Sequence, residues 1–260
     1  MRVTTKRPTG LLTIGANRFP FSRARFRAKC VTLAFGAIQW PWLLRSLYGG
    51  TRAEKQALLR RIDLPQDALP HLGSWKADTF FLHRIVDTIE SLRPEVVVEL
   101  GSGASSLIIA RALALNGGGR LVSYDQHAPF VAGMAQWLAE HDLAAEFRHA
   151  PLSISAPKWG ADWYRLAELP ASIDLLVVDG PPWSVHPFIR GAAEKLFPLL
   201  SPRGVILLDD AARPGEQIVA SRWRRDWKEF AFEFEAGGTK GMLRGTRSGS
   251  AANARDAVST

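Results

Sequence analysis

Five acids and a glycine turn stand where an α/β protein does its chemistry. Glu99 follows the apolar run Val96-Val97-Val98 and leads through Leu100 into Gly101-Ser102-Gly103-Ala104-Ser105-Ser106. A buried strand, a glycine turn and a helix N-terminus in succession make a place where backbone N–H groups face a ligand. Glu99 narrows what that ligand is: a carboxylate there repels pyrophosphate and suits a cationic amino group. Asp125 ends a second apolar run, 22 residues beyond Gly103. An acid at that position accepts hydrogen bonds from ribose hydroxyls. Asp179-Gly180-Pro181-Pro182 ends a third run and Asp209-Asp210 a fourth. Singly these signals are ambiguous, since the glycines also suit a plain turn and Asp125 a solvated loop. Acids delivered to one rim by independent strands are a stronger signal than any one motif.

The elements that must carry these residues alternate. Strands are predicted over 96–100, 120–124, 146–149, 173–178 and 204–208, and helices over 106–115, 132–141 and 217–227, with 186–200 mostly helical. Segments 230–235 and 241–244 pair as a hairpin around Gly237-Gly238. Ahead of the first strand, 76–92 places Phe80, Phe81, Ile85, Ile89 and Leu92 near helical spacing, with Ser74 or Asp78 as cap and Pro94 as stop. Repeated βα units predict an α/β fold: a doubly wound, mainly parallel sheet covered on both faces, with a C-terminal antiparallel hairpin and a helical basic N-terminal extension. Its ligand belongs at the carboxyl ends of the strands.

The extension differs from the body in charge. Residues 1–62 hold thirteen Lys/Arg and one acid, Glu54, whereas the remainder holds twenty basic and twenty-four acidic residues. The basic character therefore belongs to the arm, which argues against a nucleic-acid groove across the body. Segment 31–48 reads as helical and 52–62 as a second helix after Gly49-Gly50, while 1–30 reads as irregular. The apolar stretch 31–44 is shorter than the roughly 20 residues of a membrane span and is interrupted by Pro41. With Arg23, Arg25, Arg27 and Lys29 beside it, residues 18–48 suit peripheral membrane contact. Packing on the body, or a substrate lid, is the plainer expectation. No cleavage site follows the apolar run, and the single cysteine, Cys30, excludes an intramolecular disulfide and suits a reducing, cytoplasmic setting. Three regions follow: the extension 1–73, the body 74–245, and a small, polar tail 246–260 expected to be disordered.

A dinucleotide dehydrogenase favours a third glycine where Ser106 stands and has no need of Glu99. Both departures point from NAD to S-adenosylmethionine, which offers a ribose to Asp125 and a cationic methionine end to Glu99. The run 96–112, with Ser123-Tyr124-Asp125, His149-Ala150-Pro151-Leu152, 174–182 and 207–216, resembles the Rossmann-like class I S-adenosylmethionine-dependent methyltransferases. Within them it is most similar to methyltransferase domain family 24, over roughly residues 74–245.

The resemblance implies roles. Glu99 and Gly101, Ser102, Gly103 and Ser105 would hold the methionine part, with the Ser105 hydroxyl on its carboxylate. Asp125 would hold the ribose, Gln126 and His127 would flank the adenosine, and Ala150 would line the adenine pocket. Asp179 would lie beside the sulfonium and the incoming nucleophile. Catechol-type relatives hold a divalent cation with an Asp after the fourth strand and an Asp-Asn pair after the fifth. Asp179, Asp209 and Asp210 would take those places, for Mg²⁺ or another divalent cation, with Asp210 replacing the Asn. The structural alternative has Asp210 stabilising the next loop with Arg213. Without a metal, Asp179 or His186 would serve as general base. Trp159, Trp163, Tyr164 and Trp183 fall near the rim, where they stack on an acceptor or simply pack. The expected reaction is methylation of a hydroxyl on a small molecule or sugar. The alternative is a non-catalytic cofactor-binding module docked to a membrane or partner by its basic arm. Nothing in the sequence fixes the oligomeric state, and acceptor specificity falls to 1–75 and 153–170.

Overall fold

The computed structural model describes residues 23–247. In chain order its strands are β1 (Val96–Leu100), β2 (Arg120–Asp125), β3 (Glu146–His149), β4 (Leu152–Ala156), β5 (Ala161–Tyr164), β6 (Ile173–Val178), β7 (Leu200–Leu208), β8 (Phe230–Glu235) and β9 (Met242–Arg247). Its α-helices are α1 (Arg23–Ile38), α2 (Trp40–Ser46), α3 (Arg52–Arg61), α4 (Thr79–Leu92), α5 (Ala104–Leu115), α6 (Ala128–Ala139) and α7 (Pro214–Asp226). Seven strands form one sheet in the order β3-β2-β1-β6-β7-β9-β8, in which β9 runs opposite to the other six. This is the doubly wound, Rossmann-like arrangement expected from the βα alternation.

The alternation of side chains along each strand builds two cores. Val97, Leu175, Val177, Val205 and Leu207 enter the layer of α4 and α5, while Val98, Leu100, Leu176, Val178, Ile206 and Leu208 enter the layer of α7 and a 3₁₀ segment, Ile189–Leu199. Each such aliphatic side chain, fully buried, contributes about 1.5–3 kcal/mol. Asp174 ties the start of β1 to β6, its Oδ2 accepting from the Glu95 and Val96 N–H groups at 3.1 Å each. The strand order reverses between β1 and β6, so the crevice at their carboxyl ends is the switch point where a ligand belongs.

Several boundaries differ from those expected. Residues 23–30, read as irregular, belong to α1, and Gln39 separates α1 from α2 within the segment read as one helix. Asp78, not Ser74, caps α4 by accepting from the Phe81 N–H at 2.9 Å, so the helix starts at Thr79. Helix α6 starts four residues before the expected 132, because Pro129 is tolerated in a first turn, where its missing N–H has no partner to lose. Segment 186–200 forms a 3₁₀ helix only from Ile189, and β7 begins at Leu200. The β4–β5 hairpin was not anticipated: β4 is short and mostly exposed, so it lacks a clean apolar alternation.

The body's core also reaches N-terminally of residue 74. Leu58, Leu59, Ile62 and Leu72 share the core of Phe81 and Ile85. Ahead of them, α1 lies against the loop after β6: Phe35 meets Phe188 edge-on at 4.9 Å, and Gly36 packs on the Trp183 ring. The other side of α1 and α2 leaves Leu33, Ile38, Trp40, Leu44 and Leu47 exposed. Among the described residues, no helix is long and apolar enough to cross a membrane. The tail from 248, with residues 1–22, lies outside the described residues.

Candidate active site

At the switch point two glycines bring two strands' ends together. The Leu100 carbonyl accepts from the N–H groups of Asp179 and Gly180 at 2.9 and 2.7 Å. Gly101 has φ +92°, and a Cβ there would stand 2.7 Å from the Gly180 nitrogen, so the position requires glycine. Gly103 differs: nothing lies within 4 Å of where its Cβ would be, which leaves an open approach to the backbone at the start of α5.

Glu99 lies fully buried beside this turn. Its Oε2 accepts from the Ser106 and Ser123 hydroxyls at 2.5 Å each, and its Oε1 has no hydrogen-bond partner. Burial pushes its carboxyl up to about 7, against the opposing hydroxyls of Ser105, Ser106 and Ser123 and with a further push from the Asp179 charge. A carboxyl left half-satisfied in a buried place is completed by a cation.

Asp125 ends β2 at 7% exposure. Its Oδ1 accepts from the His127 N–H at 2.8 Å, and burial raises its carboxyl to about 6, opposed by the His127 and Ser102 N–H groups. Ala150, fully buried, lies alongside and donates its N–H to the Asp125 carbonyl at 2.8 Å. Gln126 Oε1 accepts from the Tyr164 hydroxyl at 3.0 Å, and that hydroxyl also lies against Gly180. Tyr164 thus reaches from the β4–β5 hairpin to both ends of the crevice, with burial holding its phenol well above 10.

The remaining acids meet one another. Asp179, Asp209 and Asp210 each bring a carboxylate oxygen within 4.8 Å of the other two. Arg190 spans two of them, with Nη2 3.0 Å from Asp179 Oδ1 and Nη1 2.8 Å from Asp210 Oδ2. It also donates to the carbonyls of Pro181, Asp179 and Asp209. Lys240 stands 3.4 Å from Asp210 Oδ1 and 3.7 Å from Asp209 Oδ2. Its Nζ is held by the carbonyls of Ser74 and Lys76 at 3.2 and 2.9 Å. Arg213 pairs with Asp210 and approaches Glu216 at 3.6 Å. Burial raises the Asp209 carboxyl above its ordinary range and lowers the Arg213 guanidinium to about 10.

Residues 98–211 match the sequence model of a family described as a methyltransferase domain, family 24. They span β1 to the loop after β7, and so contain Glu99, both glycines and every acid of the rim. This segment resembles a methyltransferase domain of that family. No curated protein matches the chain. Among solved structures, the chain is similar to the Streptomyces achromogenes O-methyltransferase TomG of tomaymycin synthesis, solved with SAM: 18% identity over 88% of this chain and 100% of that one, TM-score 0.50. A SAH-bound Podospora anserina methyltransferase, PaMTH1, gives 14%, 88%, 98% and 0.52, and a Bacillus cereus O-methyltransferase with SAH gives 13%, 86%, 99% and 0.51. At these identities the likeness establishes the fold.

Within this segment, Glu99, Gly101, Ser102, Gly103, Asp125, Gln126, His127 and Ala150 lie around the carboxyl ends of β1 to β3. Ser105 is buried in the first turn of α5, beside Glu99, and its hydroxyl opposes the upward push on that carboxyl. His186 is not placed as a general base. It is buried, its ring edge-on to Phe188 at 5.1 Å and its Nδ1 accepting from the Phe188 N–H at 3.3 Å. A Cβ on Gly160 would stand 2.6 Å from its Nε2, and burial with the Arg222 charge lowers its pKa to about 4. Of the four aromatics, Trp159 and Trp163 are core, Trp183 meets α1, and Tyr164 alone reaches the crevice through a hydrogen bond. Sequence reasoning missed Ser106 and Ser123 as holders of Glu99, and Arg190 and Lys240 as partners of the acids. A serine seven residues after a strand-end acid, at the first turn of a helix, was the available signal for Ser106.

Proposed function

We propose that this protein is an S-adenosylmethionine-dependent O-methyltransferase acting on the hydroxyl of a small molecule or sugar. The observation that carries the cofactor assignment is Glu99: a buried carboxyl with one oxygen unpartnered, beside a glycine turn left open at Gly103. A dinucleotide's pyrophosphate is the wrong charge for it, and a methionine ammonium is the right one. Asp125, fixed by backbone N–H groups, has the remaining lone pairs to accept from a ribose diol. The oxygen acceptor is supported by the relatives, since TomG and the Bacillus cereus protein are O-methyltransferases.

The residues around the crevice fit this cofactor, and each has a task. Bound there, S-adenosylmethionine supplies a methyl group on a cationic sulfonium, open to displacement by a nucleophile. Glu99 neutralises the ammonium and Asp125 fixes the ribose. Asp179, held by Arg190 through Oδ1, presents its other oxygen to accept the hydrogen of an acceptor hydroxyl. Tyr164 walls the crevice against water. Alignment and exclusion of water are the main requirements of such a displacement. The exposed apolar residues of α1 and α2, next to the basic stretch 23–29, support peripheral contact with an anionic lipid surface as part of the same reading.

Calorimetric titration of the full chain with S-adenosylmethionine, beside Asp125→Ala, tests the assignment. Binding by wild type that the variant loses supports it. Transfer of a labelled methyl group to amines but to no hydroxyl would reverse the choice of acceptor atom.

A further inference from the structure

We infer that Arg190 and Lys240 stand where a divalent cation would bridge the acids of this rim, and that the site therefore works without a metal. A metal of the catechol type draws three oxygens around one centre, at about 2.0–2.1 Å for Mg²⁺. The three carboxylates here are close enough to one another to suggest that arrangement. Two of the three spaces between them are already taken. Asp179, Arg190, Asp210, Lys240 and Asp209 form an alternating series of acid and base, with Arg190 between Asp179 and Asp210 and Lys240 between Asp210 and Asp209, whose own oxygens accept no hydrogen bond.

Neither cation is free to swing away. Arg190 is 5% exposed, and its planar fork is fixed by three backbone carbonyls as well as two carboxylates. Lys240 is 3% exposed and its ammonium is anchored by the Ser74 and Lys76 carbonyls. Arg213 adds a third cation on Asp210, so a dication would enter a place where three positive groups already face Asp179, Asp209, Asp210 and Glu216. The residues as they stand do not fit the metal that the acids alone imply. The expected ligand set is an ion-pair series, and the acidity of an acceptor hydroxyl must come from the acceptor and Asp179 rather than from coordination to a metal.

The role of Asp179 rests on the proposed methyl transfer; the occupancy of the ring by protein cations does not. Titration of the full chain with Mn²⁺, followed by electron paramagnetic resonance, reads the ring directly. Wild type is expected to bind no stoichiometric Mn²⁺ up to millimolar concentration. Lys240→Met keeps the stem, removes the ammonium and is expected to bind Mn²⁺ at least tenfold more tightly than wild type. Arg190→Met replaces it if circular dichroism shows that the first variant does not fold. One tightly bound Mn²⁺ per wild-type chain overturns the inference, as does a folded variant that gains no binding. Calorimetry with S-adenosylmethionine on the same samples, with and without EDTA, reports the cofactor assignment separately. Less than a twofold change in EDTA is expected, and loss of wild-type binding on chelation also overturns the inference.

Discussion

Glu99 and Asp210 are both buried carboxyls at the carboxyl ends of neighbouring parts of one sheet, yet their surroundings are opposite. Glu99 has only hydroxyl donors on one oxygen and nothing on the other. Asp210 is met by Arg190, Arg213 and Lys240. Glu99 on the β1 side is built with a charge left over, and Asp210 on the β7 side is built with its charge matched. A buried acid held short of satisfaction marks a place for a ligand; a buried acid ringed by arginines marks a place where the protein completes itself. Sequence shows the acids of both sides alike, and only the partners tell them apart.

The largest expected effect breaks the matched side. Arg190→Met leaves Asp179 and Asp210 short of a partner and is expected to cost about 3–5 kcal/mol in urea unfolding. A loss below about 1 kcal/mol would mean that the ring is not tightly coupled. On the ligand side the effects should fall on binding instead. Asp125→Ala is expected to weaken S-adenosylmethionine about 100-fold by calorimetry, the equivalent of about 3 kcal/mol, while leaving the fold intact.

The pH dependence sharpens the contrast further. Glu99 is half-protonated near 7 in the free protein, and a cationic ligand binds only its charged form well. Affinity should therefore rise about tenfold per unit toward pH 7 and level off above it, with a steeper fall below about 6 where Asp125 also takes up a proton. Glu99→Gln should flatten the limb near 7; an unchanged profile would assign that limb to another group. The smallest effect on stability is expected at Gly103. Gly103→Ala meets no neighbour in the free protein and should change unfolding by less than about 0.5 kcal/mol. It should still weaken cofactor binding if the ligand uses that space.

Much of this site was legible because strand-end acids advertise themselves. Val96-Val97-Val98-Glu99 and its counterparts carry an apolar run straight into a carboxylate, and the run fixes where the carboxylate ends up. Local grammar also disclosed the glycine turn and most of the elements. What it did not disclose came from afar. Arg190 and Lys240 reach the acids from other elements, and nothing in their own neighbourhoods marks them as partners. Tyr164 sits on a strand of four residues with no regular apolar pattern, so packing was the better default there. His186 looked open on a loop and is closed in by Gly160 and Phe188, which only the fold brings to it.

Lys240 belongs to the turn between β8 and β9, and this turn is also where the early part of the chain comes to rest. The Thr239 N–H donates to Asp78 at 2.8 Å and its hydroxyl to the Tyr48 carbonyl at 2.7 Å, across separations of 161 and 191 residues. A polypeptide emerging from the ribosome presents Asp78 and the acids of the rim long before it presents residue 240. The Lys240 contacts to Asp209 and Asp210 are thus made only when the closing hairpin arrives. The last pair of strands is in effect a clasp, and any chain that terminates before it would carry every cofactor residue named here without the lysine that balances their neighbours.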